Sequence, residues 1–184
     1  MISVTDLKAG ITYKEDGNLY QVISYEHIKM GRGSANIKVK VRNLTNGSNV
    51  EKSYINGAKI NDVYVVKKDL QFLYKDDDMA YFMNPQTYDQ IPVPLKRIDG
   101  AQYLKEGESF TVSFLDDEAL SILLPPKMVF NVVDTAPGVK GNSATNVFKD
   151  AELENGIKTK VPLFVNIGDA IRIDTRTGAY TEKA

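Results

Sequence analysis

The sequence predicts an all-β protein made of three small barrels in tandem. Short runs of alternating apolar and polar residues recur along it, as in residues 37–42, which read Ile-Lys-Val-Lys-Val-Arg. Turn residues interrupt these runs about every ten residues, a spacing that favours small barrels. A double proline, Pro125-Pro126, cannot continue a hydrogen-bonded ladder and therefore indicates a domain boundary.

A second boundary is expected near residues 62–64, which gives domains at residues 1–64, 65–127 and 128–184. Charge is unevenly spread over these segments. The first has nine Lys/Arg against six Asp/Glu, the second seven against eleven, and the third seven against seven. The resulting charges of +3, −4 and 0 predict a cationic first domain on a body that avoids nonspecific contact with nucleic acid.

In the first two thirds, strands follow from alternation and turn chemistry. Leu19–Tyr25 alternates and enters a basic hairpin, and an Asn46-Gly47 turn precedes the strand at residues 49–54. Two later hairpins turn at the acidic segments Asp76–Asp78 and Asp116–Glu118. The strands expected beside these turns are residues 70–74, 79–83, 109–115 and 119–124.

The last third is expected to hold a strand at residues 128–133, a loop rich in Gly, Asn, Ser and Thr, and two more short strands. Helix signals are weak and short. The best of them are Thr5–Lys8, Leu95–Ile98 and Asp150–Glu154.

The most informative segment is the tip of the first hairpin, where Gly31 and Gly33 flank Arg32. Glycine reaches positive φ easily and leaves the guanidinium uncrowded. Residues 29–42 contain five basic residues and no acidic one, a pattern that indicates contact with nucleic acid. These basic residues are Lys29, Arg32, Lys38, Lys40 and Arg42. The alternative is a solvated hairpin end without a partner.

Residues for catalysis or metal binding are scarce. The chain has no cysteine, and its one histidine, His27, has no nucleophile or acid at motif spacing, so we expect a surface or packing residue. Asp76–Asp78 lacks the glycine and distal glutamate of a calcium loop, and the acids of Asp116–Glu118 point apart on a hairpin tip. A phosphate-binding loop is followed by a helix, whereas no helix is expected after Gly31-Arg32-Gly33. We therefore expect no enzyme, metal or cofactor.

Targeting and membrane signals are also lacking. The N-terminus has no apolar signal-peptide core, and no apolar run approaches the roughly 20 residues of a membrane-spanning helix. The sequence thus predicts a cytoplasmic monomer that does not associate with membranes.

Three ordered segments of the last third carry a family signature. They are Val133–Gly141 (VDTAPGVKG), Val161–Asp169 (VPLFVNIGD) and Ile173–Tyr180 (IDTRTGAY). In order and spacing they closely resemble bacterial elongation factor P. The resemblance extends over the whole chain, including Leu7–Gly10, the Gly-x-Gly hairpin tip and Tyr81–Asn84.

The resemblance implies an SH3-like (KOW-like) first domain followed by two OB-folds, in an elongated L that imitates tRNA. Family members bind the ribosome between the peptidyl-tRNA and exit sites and relieve stalling at consecutive prolines. Proline reacts poorly because its ring fixes φ and constrains the amine. Positioning the peptidyl-tRNA end lowers that barrier entropically, without chemistry by the protein itself.

The resemblance also assigns site residues. Arg32, with Gly31 and Gly33, is the loop tip that reaches toward the peptidyl transferase centre. Contacts with the tRNA or rRNA backbone are assigned to four basic residues, Lys29, Lys38, Lys40 and Arg42. Contacts with the exit-site codon of messenger RNA are assigned to the loop residues Gly141, Asn142, Ser143 and Ala144.

Two departures from the family pattern bear on these assignments. The family tip most often reads Pro-Gly-Lys-Gly, where this chain has Met30 and Arg32, and the codon loop often reads Gly-Asp-Thr-Ala. Arginine-tip members are rhamnosylated in one branch, so an arginine-modifying enzyme is a further candidate partner. The sequence leaves open whether Arg32 is modified.

Three other interpretations compete with this one. The first is a paralogue of elongation factor P with a more specialised ribosomal role. The second is a generic tandem-barrel RNA-binding protein, which would bind RNA without the ribosome. The third is a carboxylate-based hydrolase, for which the sequence offers no pocket-forming pattern.

Overall fold

The structure, a computed structural model, describes residues 1–28, 36–138 and 148–184. Over these ranges it contains three antiparallel sheets and three short 3-10 turns, and no α-helix. The turns are Val4–Asp6, Leu95–Arg97 and Ala101–Tyr103. The predicted all-β fold class is confirmed, and two of the three weak helix signals correspond to single 3-10 turns.

The first sheet has six strands. In chain order they are β1 (Ile2–Ser3), β2 (Thr12–Glu15), β3 (Asn18–Ile28), β4 (Asn36–Asn43), β5 (Asn49–Ile55) and β6 (Lys59–Asp62). Their order across the sheet is β1-β6-β2-β3-β4-β5. The inward residues form one apolar core, made of Val4, Leu7, Tyr13, Tyr20, Val22, Ile37, Val39, Val41 and Ile60.

Side chains close this sheet where no backbone ladder does. Strands β2 and β5 are not neighbours in the sheet order, yet the hydroxyl oxygens of Tyr13 and Tyr54 are 2.8 Å apart. Tyr54 also donates to Glu15 Oε2 at 3.1 Å, and Lys52 donates to the same oxygen. The Lys52 ammonium lies 4.0 Å from the centre of the Tyr20 ring. The sheet therefore curls until β5 lies against β2.

The second sheet has five strands. They are β7 (Val66–Lys75), β8 (Met79–Met83), β9 (Gln90–Pro94), β10 (Ser109–Leu115) and β11 (Glu118–Leu123), in the order β11-β10-β7-β8-β9. The two hairpins predicted at the acidic turns are present. Aromatic rings fill the interior, with Phe82 edge-on to Phe110 at 6.3 Å between ring centres.

The third sheet also has five strands. They are β12 (Lys127–Thr135), β13 (Phe148–Leu153), β14 (Lys158–Pro162), β15 (Ala170–Asp174) and β16 (Tyr180–Lys183), in the order β14-β13-β12-β15-β16. The helix predicted at Asp150–Glu154 is wrong. Ala151 and Leu153 are buried while Asp150 points outward, so this segment follows the period of a strand.

The three sheets fall into two compact units. Residues 1–99 and 106–123 form one unit, and residues 100–105 and 124–184 form the other. No strand crosses Pro125-Pro126, because β11 ends at Leu123 and β12 begins at Lys127. The domain boundaries at 64 and 127 stay a prediction. Of the described residues, none lie in a helix long and apolar enough to cross a membrane.

We expect Tyr54→Phe to reduce the loss of stability at alkaline pH. Burial, followed by the hydrogen bond with Tyr13, raises the pKa of Tyr54 in the folded protein. An unfolded tyrosine loses its proton near pH 10, so the folded state holds the proton more tightly and the free energy of unfolding falls as pH rises past about 10. Urea denaturation between pH 7 and 11 measures this fall.

The control for this prediction is Tyr64→Phe, because Tyr64 is 85% exposed. It should leave the alkaline profile unchanged. Equal profiles for Tyr54→Phe and the wild type would contradict a role of this hydroxyl in closing the sheet.

Candidate nucleic-acid interface

The β3–β4 hairpin is rooted in the middle of the first sheet. Strand β4 pairs with β3 from Asn43 to Asn36 and, on its other side, with β5 from Asn49 to Ile55. Having a ladder on both edges fixes the position and twist of β4. The hairpin is therefore an extension of the sheet rather than a loop attached to it.

The alternation predicted for β4 is confirmed. Ile37, Val39 and Val41 are fully buried in the core of the first sheet. Lys38, Lys40 and Arg42 consequently lie on the opposite face, and each of these side chains has different neighbours there.

Lys38 and Lys40 face solvent with different neighbours. The Lys38 ammonium is 3.0 Å from a carboxylate oxygen of Glu51, and Glu26 lies opposite Lys38 on β3. Lys40 is exposed, and no ion pair to it is present in the part of the chain that the structure describes. An exposed ion pair such as Lys38–Glu51 contributes about 0–1 kcal/mol, so Lys38 can exchange Glu51 for a phosphate at little cost.

Arg42 turns away from solvent. Its Nε donates to the carbonyl oxygen of Lys96 at 2.8 Å, and its Nη1 donates to Asn49 Oδ1 at 3.1 Å and to Asp99 Oδ1 at 3.2 Å. The side chain is 14% exposed. Burial lowers the pKa of Arg42, and the nearby Asp99 carboxylate opposes that change. Arginine stays charged at neutral pH in either case.

This placement of Arg42 was missed from the sequence. Alternation identifies the face of a strand but not what covers that face. Since the guanidinium is already engaged by three acceptors within the protein, we leave Arg42 out of the RNA-binding residues proposed below.

The remaining predicted site residues lie outside the described ranges. They are Lys29, Gly31, Arg32 and Gly33 of the hairpin tip and Gly141, Asn142, Ser143 and Ala144 of the second loop.

The segments that flank the second loop are tightly held. Lys149 donates to the carbonyl oxygen of Ala136 at 2.6 Å, which ties the start of β13 to the end of β12. A Cβ atom added to Gly138 would lie 2.3 Å from the carbonyl oxygen of Leu163, so the backbone there passes too close for any side chain. The loop therefore begins and ends on fixed supports.

The signature segment Ile173–Tyr180 forms the turn between β15 and β16. Arg176 binds Asp174 in a bidentate manner, Nε to Oδ1 at 3.1 Å and Nη2 to Oδ2 at 2.7 Å. The backbone amide of Arg176 also donates to Asp174 Oδ1 at 2.8 Å. Gly178 has a φ of +75° and packs so close to the Tyr103 hydroxyl that a Cβ atom would lie 2.9 Å from it. These signature residues hold a turn in place.

The two acidic turns have structural roles. Asp76 accepts the backbone amides of Asp78 and Met79, which lower the pKa of its carboxyl group. Glu118 accepts from Arg97 at 2.6 Å. Within residues 1–28, 36–138 and 148–184, no three His, Asp or Glu side chains come together as metal ligands would. His27 is exposed on β3.

Comparison with protein-family models gives three matches. A model described as the KOW-like domain of elongation factor P matches residues 3–60, its OB domain matches residues 65–122, and its C-terminal domain matches residues 128–183. The KOW-like and OB identities that the sequence predicts for the first two domains are confirmed.

Relatives of known name match along the full length. Elongation factor P from Clostridium tetani is 42% identical over 184 residues, covering all of both chains. The protein of the same name from Thermus thermophilus is 41% identical, again over all of both chains. Among solved structures, eukaryotic translation initiation factor 5A from Methanococcus jannaschii has a TM-score of 0.40 and 22% identity, over 66% of this chain and 90% of that one.

We expect Asp174→Asn to remove part of the acid sensitivity of the protein. The bond from Arg176 lowers the pKa of Asp174 to about 2 in the folded state, against about 3.9 in an unfolded chain. Because the folded pKa is depressed, the stabilising contribution is complete above about pH 5 and is lost progressively as pH falls toward 2. Urea denaturation between pH 2 and 5 should show a shallower decline for the variant, together with lower stability at pH 7.

The matched control is Asp150→Asn in the same sheet, because the Asp150 side chain is 87% exposed. It should keep the wild-type profile. A wild-type profile for Asp174→Asn as well would show that the Arg176 contact adds no stability.

Proposed function

The chain belongs to the elongation factor P family of translation factors, and we propose that it binds the ribosome between the peptidyl-tRNA and exit sites. There it stimulates peptide-bond formation and relieves stalling at consecutive prolines. The match of three successive family domains along the full chain carries this proposal, because it covers both loops to which the function is assigned.

Strands β3 (Asn18–Ile28) and β4 (Asn36–Asn43), here called the β3–β4 arm, suit a positioning role. A strand rises about 3.3 Å per residue, so the part of β4 from Arg42 to Asn36 spans about 20 Å before the tip begins. Ladders on both edges of β4 hold residues 36–43 of the arm in place, which supports this role. Holding the end of the peptidyl-tRNA in a reactive geometry removes an entropic cost from the reaction, with no bond made or broken by the protein.

Arg32 is the proposed tip residue, flanked by Gly31 and Gly33. Its planar guanidinium presents five donors, which suits phosphate oxygens and stacking on RNA bases. An arginine between two glycines in a hairpin turn is also a suitable target for an arginine-modifying enzyme. We propose the positioning role for Arg32 both in its unmodified form and in a modified form.

Lys29, Lys38 and Lys40 are proposed to contact the backbone of tRNA or rRNA. The exposure of Lys40 and the weak pairing of Lys38 support this assignment. Attraction between the cationic first domain and the phosphates would also speed association.

Residues 141–144 are proposed to face the exit-site codon of messenger RNA. The contacts at Ala136, Gly138 and Lys149 hold the two segments that flank this loop, which supports the assignment. Asn142 and Ser143 are polar and Gly141 and Ala144 are small, a combination that suits a close approach to a nucleic-acid backbone.

We expect Arg32→Ala to abolish the stimulation of polyproline synthesis with little change in stability, since the sequence predicts a turn position for Arg32 and not a core position. Arg32→Lys should substitute poorly, because lysine lacks the guanidinium fork. A purified translation system that compares a template encoding consecutive prolines with a proline-free one measures the effect. Intact-mass analysis of the native protein reports whether a modification is present.

Full polyproline synthesis with Arg32→Ala would overturn the proposed mechanism. RNA binding that does not require the ribosome, with no effect on proline runs, would instead favour a generic RNA-binding protein.

We expect Lys40→Ala to weaken ribosome binding and to flatten its dependence on salt. Each lost phosphate contact lowers the slope of log affinity against log salt concentration by roughly 0.7–0.9. The control is Lys59→Ala, which removes the same charge from an exposed site on β6, away from the arm. Equal slopes for both variants and the wild type would place Lys40 outside the contact.

A further inference from the structure

We infer that Arg42 is a positioning residue that locks the first sheet to the second and thereby fixes the direction of the β3–β4 arm. Both sheets belong to one compact unit, since residues 1–99 and 106–123 cluster together. The geometry of the lock is independent of the proposed function, while its consequence for polyproline synthesis rests on that function.

The lock begins with a closed set of polar contacts. Arg42 bonds Asn49 within the first sheet and, across the junction, bonds Asp99 and the carbonyl oxygen of Lys96. Asn49 Nδ2 also donates to Asp99 Oδ1 at 2.8 Å, so Asp99 is held by two residues of the first sheet. The guanidinium is mostly buried at this junction, where charge-assisted hydrogen bonds are stronger than on an open surface.

A backbone contact lies beside this cluster. Gly47, at a φ of +78°, passes so close to the second sheet that a Cβ atom would lie 2.7 Å from the carbonyl oxygen of Lys96. The turn that carries it is rigid, because Asn43 Oδ1 accepts the backbone amide of Thr45 at 2.8 Å and the Gly47 amide donates to the Asn43 carbonyl at 2.8 Å. The same carbonyl of Lys96 is thus approached by Gly47 and bonded by Arg42.

A third contact lies elsewhere on the junction. Gly10 approaches Leu123, the last residue of β11, and a Cβ atom on Gly10 would lie 2.9 Å from Leu123 Cδ2. Contacts at Gly10, Gly47 and Arg42 oppose rotation of one sheet against the other.

The receiving segment, residues 95–99, is itself fixed to the second sheet. Arg97 donates to Glu118 at 2.6 Å and to the carbonyl oxygen of Ala119 at 3.0 Å, both on β11. The backbone amide of Leu95 donates to the carbonyl of Asp78 at 2.8 Å, and Ile98 is buried. The segment that Arg42 binds is therefore held by several strands and turns of the second sheet.

Arg42 is well placed to control the arm because it lies at its base. It is the penultimate residue of β4, about 20 Å from Asn36 at the far end by the strand rise. A rotation of about 10° at the base displaces that far end by about 3.5 Å. A displacement of about 1 Å is enough to slow a positioned reaction about 100-fold.

The alternative is that Arg42 binds phosphate like Lys40, and two variants separate the roles. Arg42→Lys keeps the charge but offers one ammonium where the guanidinium serves three acceptors. Asp99→Ala removes an acceptor in the segment attached to the second sheet, residues 95–99, while leaving Arg42 in place. A phosphate contact tolerates both changes, whereas the lock is weakened by both.

The first part of the test uses the free protein. The chain has no cysteine, so cysteines introduced at the exposed strand positions Lys14 and Gln90 carry the only spin labels. Pulsed electron-spin distance measurements should give a narrow distribution for the wild-type background and a broader one for Arg42→Lys and Asp99→Ala. Thermal unfolding is followed in parallel, and Lys40→Ala serves as the control that should keep the narrow distribution.

The second part of the test measures polyproline synthesis and ribosome binding with the same variants. Arg42→Lys and Asp99→Ala should lower the rate at proline runs between about tenfold and about 100-fold. The salt dependence of ribosome binding should stay at the wild-type slope, unlike that of Lys40→Ala.

Narrow distance distributions in both variants would overturn the lock, and broad distributions with undiminished synthesis would overturn its positioning role. Arg42→Ala is added to the ribosome-binding measurement to remove the charge. If Asp99→Ala has no effect and the slope for Arg42→Ala is flatter by roughly 0.7–0.9, Arg42 binds phosphate instead. If the wild-type protein does not stimulate polyproline synthesis, the proposed function fails, and the distance measurements still decide whether the lock exists.

Discussion

The first sheet depends on a small polar cluster between strands that share no backbone ladder. Tyr13 and Glu15 on β2 meet Lys52 and Tyr54 on β5, and this contact curls the sheet around its apolar core. Strand β4 lies between β3 and β5 in this sheet, and the polar cluster holds β5, its outer neighbour, against β2. Because β4 is paired on both edges, residues 36–43 are fixed in position and twist within the barrel.

Strand β4 combines three functions along eight residues. Its inward side chains fill the core, Lys38 and Lys40 lie on its outer face, and Arg42 near its end bonds the segment attached to the second sheet. The Lys38–Glu51 pair and the Arg42–Asp99 pair show how environment separates similar charges. The first is open to solvent and exchanges readily, whereas the second is mostly buried and braced by Asn49.

Prediction from the sequence succeeded where local pattern decides structure. The alternation of residues 37–42 identified the buried and outward faces of β4, and the acidic hairpin turns were located because turn residues sit between apolar runs. It failed at Asp150–Glu154, where a short polar segment resembles a helix until the burial of Ala151 and Leu153 is known. It also assigned Arg42 to solvent, because alternation carries no information on neighbouring domains.

The sequence by itself determined the all-β class, the strand alternation and the family, because these follow from the order of side chains along the chain. Only the tertiary structure decided which cations are free. Lys40 remains exposed, while Arg42 is enclosed by Lys96, Asn49 and Asp99. Two of those partners are more than fifty residues away in sequence, and contacts at that separation arise only when the sheets pack against each other.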